Sequence, residues 1–307
     1  MADLPLVSIV TPCFNQGRYI EKTILSVLEQ HYPNIEYILM DGSSGDESLD
    51  VIQKYSARLS YWESKPDRGQ ADAINKGLQR AKGQILGWLN SDDILLPSTV
   101  RTIIETFCVR PEVDVIYGRL ERIDASGQVV PTPILPKDRI TFGKEYVIGE
   151  CVVNQPGCFW RREIMEKVGL LDERLVYSMD YDYWIRMALA GAKFHKLPQV
   201  VARFRLSESS KTATQSAAMA REQLGVLEKY LSQPGMHNIL GLPKGEFDRK
   251  SRRARSNICL HAFYGDFKAH HWRDAFSWLS KALRYNPLVL FQRRWFDLMY
   301  ASLLRRF

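Results

Sequence analysis

The sequence lacks any run of about 18 apolar residues, the length that a helix needs to cross the hydrocarbon core of a bilayer. Its five cysteines are an odd number without Cys-x-x-Cys spacing, which argues against a disulfide framework and a zinc site. No basic cluster precedes an apolar segment in the opening Met1 to Pro5, so no secretory leader is predicted. These absences predict reduced thiols and a cytoplasmic chain.

The composition is globular, with a basic bias. Apolar residues make up 45% of the chain and charged residues 25%, which is not the composition of a disordered protein. The 307 residues fit one large domain, or a domain with an appendage. The net charge is +7, and basic residues concentrate in the last third, at 249–255, 293–294 and 305–306. The bias favours an anionic membrane surface over nucleic acid, although solvated helix surfaces explain such runs about as well.

Strand and helix patterns alternate along the first half of the chain. Helical spacing at 19–30, 48–55 and 70–81 separates apolar segments at 6–10, 35–40, 59–63 and 85–89. This rhythm predicts βαβ units and a mostly parallel sheet. Because ligands bind at the carboxyl edge of such sheets, we expect one cluster there from the polar residues that follow the strands: Asn15, Asp41, Asp67 and Asp92.

The later segments predict further strands and then helices. A helix from Pro97 to Cys108, a strand over 113–117 and a hairpin around Ser126-Gly127 precede an irregular Pro-rich stretch at 131–150. A strand and helix over 155–168, a helix from Trp184 to Ala190 and strands over 194–201 and 202–206 follow. From about residue 215 the spacing is helical, with one break from Ser232 through Pro243.

Two adjacent acids, Asp92 and Asp93, follow the buried strand at 85–89. Neighbouring carboxylates repel each other, and a divalent cation such as Mg²⁺ or Mn²⁺ is the commonest reason for placing them together. The alternative is that one of them caps the helix that begins after Ser98. The local pattern alone favours neither interpretation.

Five segments are spread over about two thirds of the chain: Val7 to Asn15, Asp41 to Asp46, Asp67 to Gly77, Leu89 to Asp93 and Asp180 to Trp184. In this order they resemble the motifs of family 2 glycosyltransferases. The resemblance implies an α/β chain with the GT-A nucleotide-diphospho-sugar transferase fold, a mixed, mostly parallel sheet flanked by helices, over residues 1–214. Residues 215–307 are then a helical C-terminal extension.

The resemblance also implies a donor site. The residues expected to bind the nucleotide sugar are Pro12, Phe14, Asp41, Arg68, Ser91, Asp92, Arg205 and Lys211. Asp92 is the expected ligand of a divalent cation, Mg²⁺ or Mn²⁺, and Asn90 replaces the first acid of the family's Asp-x-Asp motif. The structural alternatives are a core aromatic for Phe14, a turn cap for Asp41 and an exposed cation for Arg68.

The segment before the Trp184 helix resembles the catalytic part of the family. Asp180 matches the base that removes the acceptor hydroxyl proton in a single inverting displacement, with Asp182 as its alternative. Asp93, Asp182 and Trp184 are expected on the acceptor side. The alternatives are that both acids favour a helix N-terminus and that Trp184 packs in the core. Met179 and Ser207 depart from the family pattern, because an acid and a metal-binding histidine often stand there.

The C-terminal third lies outside the catalytic resemblance. Residues 261–287 resemble one tetratricopeptide-type helical hairpin, which cannot bury its own core alone. The tail from Leu288 to Phe307 mixes apolar and aromatic residues with four arginines. That pattern predicts either a basic amphipathic helix on an anionic bilayer or a helix that packs on protein.

Taken together, the motifs predict an inverting glycosyltransferase. The expected donor is a nucleoside diphosphate sugar, with UDP favoured by family habit. The expected acceptor is a glycan or lipid-linked glycan in cell-surface polysaccharide, lipopolysaccharide or exopolysaccharide biosynthesis, at the inner face of the cell membrane. The alternative is a catalytically weak binding or scaffold protein on the same fold, acting through its helical tail. A nucleotidyltransferase is less favoured, because no Gly-rich, Lys-containing loop lies near the N-terminus.

Overall fold

The computed structural model describes residues 4–130, 141–142, 153–206 and 216–288. These residues divide into two units, the first ending at Leu206 and the second beginning at Ser216. Across the described ranges, no helix has both the length and the apolarity to cross a membrane. The irregular stretch at 131–150, apart from 141–142, and nearly all of the predicted basic tail lie outside the described residues.

Ten strands of the first unit form one mixed sheet. They are β1 Val7–Cys13, β2 Ile35–Asp41, β3 Tyr61–Ser64, β4 Ile85–Trp88, β5 Ile94–Leu95, β6 Val115–Ile123, β7 Val129–Val130, β8 Thr141–Phe142, β9 Phe159–Arg161 and β10 Phe194–Arg205. Their order is β3-β2-β1-β4-β9-β6-β10-β5, with β7 beside β6 and β8 beside β10. Strands β3, β2, β1 and β4 run parallel, as do β6 and β10, whereas β9 is antiparallel to both of its neighbours.

Helices accompany the sheet and build the second unit. In the first unit they are α1 Gly17–Leu28, α2 Ser48–Tyr55, α3 Gln70–Arg80, α4 Thr99–Val109, α5 Arg162–Val168 and α6 Met179–Leu189. In the second they are α7 Ser216–Leu231, α8 Met236–Ile239, α9 Lys244–Lys268 and α10 Trp272–Tyr285. The helices α9 and α10 lie where the sequence predicts a hairpin, and the tetratricopeptide resemblance stays a prediction.

The core of the first unit follows from the apolar patterns. All seven residues of β1 are buried, as expected for a parallel strand that is covered on both faces. On α1, Ile20, Ile24 and Val27 recur at helical spacing, and they pack into the same buried cluster as Ile9 and Leu39. This packing holds the carboxyl ends of β1 and β2 side by side.

Three elements differ from the sequence-based expectation. Strand β1 continues to Cys13, where it still pairs with Asp41, although a break was predicted at Thr11. Strand β10 is continuous where a break between residues 201 and 202 was predicted. Its pairing with β6 shifts register between Lys196 and Ala202. Helix α6 begins at Met179 rather than Trp184, because its first-turn acids suit a helix N-terminus although they resemble loop residues.

The close approach of α3 to β1 depends on Gly77. A Cβ atom at Gly77 would lie 2.3 Å from Cγ1 of Val10. We therefore expect Gly77→Ala to lower the free energy of unfolding by about 1–3 kcal/mol through overpacking. A urea titration followed by circular dichroism measures this change.

Gly225 in α7 provides the matched control. A Cβ atom there would meet nothing within 4 Å, so Gly225→Ala should raise stability by up to about 1 kcal/mol through helix propensity. Equal effects of the two substitutions would contradict the proposed packing of α3 against β1.

Candidate functional site

The loops after β1 and β2 are joined by hydrogen bonds at the carboxyl edge of the sheet. The backbone N–H of Asn15 donates to Oγ of Ser44 at 2.8 Å, and the N–H of Gly45 donates to Oδ1 of Asn15 at 2.8 Å. Asn15 has a φ of 52°, a left-handed conformation that asparagine tolerates. The predicted gathering of polar strand ends is therefore observed for these two loops.

Asp41 ends β2 as a buried carboxylate with fixed partners. It accepts hydrogen bonds from the hydroxyls of Ser44 at 2.5 Å and Ser64 at 2.6 Å. The ring of Phe14, which follows β1, is instead 60% exposed, so it is not a core aromatic. Pro12 is buried within β1. The exposed ring suits stacking on a planar ligand, whereas the buried carboxylate holds the loop after β2.

Arg68 lies before α3 with 73% of its side chain exposed, yet it has two acidic partners. Its guanidinium contacts the carboxylates of Asp72 at 3.0 Å and Glu173 at 2.5 Å. Asn75 joins the same two segments, because its side-chain amide donates to the carbonyl of Leu171 and accepts from its N–H. The structural role predicted for Asn75 is confirmed. Sequence reasoning missed Glu173, which nothing near Arg68 in the sequence indicates.

Asn90 lies at the centre of a chain of side-chain amides. Its Oδ1 accepts from Nε2 of Gln70 at 2.8 Å, and its Nδ2 donates to Oε1 of Gln155 at 3.1 Å. Gln155 also donates to the carbonyl of Trp88, the last residue of β4. An aspartate at position 90 could not donate to Gln155, so the asparagine is part of this network. Gln155 is a second site residue that sequence reasoning missed.

The two adjacent acids differ in their surroundings. Asp93 is wholly buried, and its Oδ1 accepts the backbone N–H of Arg205 at 3.0 Å. Burial and then the charge of Asp92 raise the pKa of Asp93 well above its usual value. Burial also raises the pKa of Asp92, whose carboxylate receives no side-chain hydrogen bond from the part of the chain that the structure describes. The acceptor-side position predicted for Asp93 does not fit its burial.

Arg205 is a buried structural cation in this conformation. Its guanidinium donates to the carbonyls of Asp92 and Asp124, each at 2.9 Å, and lies 4.6 Å from the ring centroid of Tyr19. Its side chain therefore bonds to protein carbonyls and is not exposed to a diphosphate, in contrast to the expectation from sequence. Lys211, the other predicted diphosphate ligand, lies outside the described residues.

Asp180 lies in the first turn of α6, half-buried, with Oδ1 accepting the N–H of Tyr181 at 2.7 Å. Burial raises the pKa of the Cys158 thiol well above its usual value, and the charge of Asp180 raises it further. Asp180 is thus near the 155–158 segment, whose Gln155 contacts Asn90. The predicted base and the predicted metal-binding turn are connected through this segment.

Asp182 and Trp184 are structural residues of α6, as the alternatives to their acceptor-side roles predicted. Asp182 is wholly buried and pairs with Nε of Arg186 at 2.8 Å. Trp184 is also wholly buried, stacked on Trp88 with ring centroids 5.5 Å apart and edge-on to Trp160 at 5.6 Å. The predicted acceptor-side roles do not fit, because neither side chain has an exposed surface with which to contact an acceptor.

The Asp72 carboxylate gives a test of the charge network at the start of α3. Burial acts to raise its pKa, but hydrogen bonds from Arg68 and Lys76 lower it to about 2. Its stabilising contribution is present above the unfolded pKa, near 4, and is lost as the pH falls through the folded value.

Asp72→Asn should therefore flatten the loss of stability between about pH 4 and pH 2. We expect a difference of roughly 1–2 kcal/mol, reduced by the solvent exposure of Arg68. Urea midpoints across this range measure it, with Asp50→Asn, an exposed acid of α2, as the control. Parallel pH curves for Asp72→Asn and wild type would contradict the linkage.

Thr23 of α1 fixes the turn that follows β4. Its hydroxyl lies 2.9 Å from the carbonyl of Ser91 and 2.7 Å from that of Asp93. Thr23→Val keeps the shape but removes the donor, so we expect a loss of about 1–3 kcal/mol in unfolding free energy. The control is Thr106→Val, whose hydroxyl bonds only within α4. Equal denaturation midpoints for the two variants would show that Thr23 does not stabilise the turn.

Comparison with known proteins identifies a protein family that matches the sequence. Residues 8–169 match the family described as Glycosyl transferase family 2. An uncharacterized glycosyltransferase of Rickettsia prowazekii is 31% identical over 191 residues, 59% of this chain and 58% of that protein. One from Rickettsia felis is 28% identical over 219 residues, which are 67% of this chain and 35% of that longer protein.

Solved structures share the fold. Staphylococcus aureus TarS 1–349 in complex with UDP-GlcNAc has a TM-score of 0.65 at 14% identity, covering 91% of this chain and 81% of that chain. The mannosyltransferase PcManGT from Pyrobaculum calidifontis, in complex with GDP-Man and Mn²⁺, has a TM-score of 0.63 at 16% identity, covering 93% and 88%. At such identities the likeness establishes the GT-A fold alone. With the family match over more than half of its length, the chain belongs to glycosyl transferase family 2.

Proposed function

We propose that this protein transfers a sugar from a nucleoside diphosphate sugar, with UDP as the expected nucleotide, to a glycan acceptor with inversion. The observation that carries the proposal is the stacking of Trp88 on Trp184, which holds α6, the helix of Asp180, against β4, the strand before the turn of Asp92. One half-buried carboxylate then lies on the donor side and the other on the acceptor side. The alternative of a weakly catalytic scaffold has no comparable support.

The donor's nucleoside fits the loops after β1 and β2. The exposed ring of Phe14 offers a stacking face, and the buried carboxylate of Asp41 holds the loop after β2 beside it through Ser44 and Ser64. Arg68 is exposed enough to reach donor oxygens with its remaining N–H groups. Pro12 and Ser91 are buried, so we assign them to the walls behind the donor.

A divalent cation fits Asp92. Burial raises the pKa of this carboxylate despite the nearby charge of Arg205, and a cation would stabilise its ionised form. Among the described residues, no group of three or more His, Cys, Asp and Glu side chains could hold a metal ion. Donor phosphates would therefore have to supply ligands, and we expect weak metal binding without donor. When bound, Mg²⁺ or Mn²⁺ supplies Lewis-acid stabilisation of the departing diphosphate.

Asp180 is the proposed base. Its carboxylate takes the proton of the acceptor hydroxyl while that oxygen bonds to the anomeric carbon and the bond to the diphosphate oxygen breaks. The half-buried position suits this role, because the carboxylate has exposed surface. Its helix is held in place by the stacking of Trp184 on Trp88. Asp182 cannot replace it without breaking its ion pair with Arg186.

The charge of the chain bears on the acceptor. We propose a glycan or lipid-linked glycan of a cell-surface polysaccharide, lipopolysaccharide or exopolysaccharide, with the protein at the cytoplasmic face of the membrane. The basic last third of the sequence supports an anionic surface nearby.

Donor hydrolysis tests the proposal. A panel of sugar nucleotides is incubated with wild type, Asp92→Ala and Asp180→Asn, with Mn²⁺ or with EDTA, and nucleotide release and calorimetric binding are measured. We expect slow, metal-dependent release by wild type and lost donor binding in Asp92→Ala. Asp180→Asn should bind donor normally and lower turnover by roughly 10²–10⁴-fold.

Asp274→Asn, which changes an exposed acid of the second unit, is the control and should match wild type. Absence of sugar-nucleotide binding under every metal condition would overturn the enzyme assignment. Normal turnover by Asp180→Asn would instead remove only the proposed base.

A further inference from the structure

Two aromatic side chains project from the second unit at the junction of α9 and α10. Trp272 is 42% exposed and Phe276, one helical turn later, is 58% exposed. Phe267 at the end of α9 contacts Trp272 edge-on, with ring centroids 4.9 Å apart. We call Phe267, Trp272 and Phe276 the aromatic patch. Adjacent exposed aromatics of this size usually mark an interaction site.

The patch continues along one flank of α10. Ala275, Trp278 and Ala282, centred about 100° away around the helix, bury the neighbouring flank in the core of the second unit. At 100° per residue, Leu279 and Leu283 line up with Trp272 and Phe276, and both are only half-buried. An apolar stripe therefore borders the solvent over most of the length of this helix.

Basic residues lie beside the stripe on its exposed side. Arg273 and Arg284 are about 60° and 80° further around the helix than Phe276. Both are exposed, and within the described ranges neither has an ion-pair partner. Asp274 lies on the far side, about 160° from Phe276. Apolar side chains bordered by unpaired arginines complement a partner with an apolar interior and an anionic surface.

We propose that the aromatic patch docks the second unit on an anionic lipid bilayer. Trp272 and Phe276 insert between headgroups, and Arg273 and Arg284 contact lipid phosphates. An amphipathic helix with aromatics on one side and arginines at the boundary is the arrangement that lies in a membrane interface. This inference goes beyond the transferase activity and does not depend on it, because docking requires no donor. It also does not depend on residues 289–307.

Vesicle cosedimentation of the full-length protein tests the docking. Vesicles of phosphatidylcholine are compared with vesicles of phosphatidylcholine and phosphatidylglycerol in equal parts, at low and high salt. We expect binding to the anionic vesicles, weakened by salt, and at least tenfold lower partitioning for Trp272→Ser/Phe276→Ser. Arg273→Gln/Arg284→Gln should lower partitioning to the anionic vesicles alone.

Two matched variants separate the patch from general surface effects. Ile239→Ser removes an apolar side chain that is 44% exposed in the same unit, and Arg252→Gln removes an exposed arginine of α9. Both should partition as wild type does. Circular dichroism melts identify variants that fail to fold. If the aromatic variant unfolds, Arg273→Gln/Arg284→Gln still tests the proposal, because it alters only exposed side chains.

Three results would overturn the proposal. The first is that wild type binds neither kind of vesicle. The second is that the aromatic variant binds as wild type does while a chain ending at Leu288 does not, which would assign docking to the tail. The third is self-association, measured by light scattering, that the aromatic variant abolishes in the absence of vesicle binding, because the patch would then join copies of this chain.

Discussion

The arrangement of the site depends on the stacking of Trp88 against Trp184. The rings are nearly parallel, with an interplanar angle of 6° and a centroid distance of 5.5 Å. Trp88 precedes Asp92 by four residues, and Trp184 follows Asp180 by four. The contact therefore sets the helix of the proposed base against the strand of the proposed cation ligand. The two indole N–H groups lack acceptors in the described part of the chain, a cost of about 1–3 kcal/mol each that the packing must offset.

Hydrogen bonds from β10 and α1 also hold the turn after β4. Asp93 accepts the backbone N–H of Arg205, and the Arg205 guanidinium returns to the carbonyl of Asp92. Thr23 binds the same turn from α1. Because Asp93 is buried and committed to the end of β10, only Asp92 of the pair can face a ligand. Asp93 thus has a structural role, and Asp92 is the acid that the proposed function uses.

The sequence predicted most of the elements but few of the side-chain partners. Alternating patterns identify β1, β2, β4 and the helices between them, because burial imposes the periodicity that a reader can see. The contacts of Gln155 with Asn90 and of Glu173 with Arg68 were not predicted. They join residues 65 and 105 positions apart, and no local sequence pattern indicates such a pairing. The acceptor-side assignments of Asp182 and Trp184 failed because the start of α6 was placed five residues late.

The start of α6 also supports the proposal of Asp180, rather than Asp182, as the base. Residues two apart on a helix point about 200° from each other, so Asp180 and Asp182 cannot share a face. Asp182 faces inward, where Arg186 compensates its charge and in turn bonds to the carbonyl of Val168. Asp180 is half-buried instead, and its charge acts on the Cys158 thiol of the 155–158 segment. In a loop both acids would stay candidates, whereas the helix leaves one.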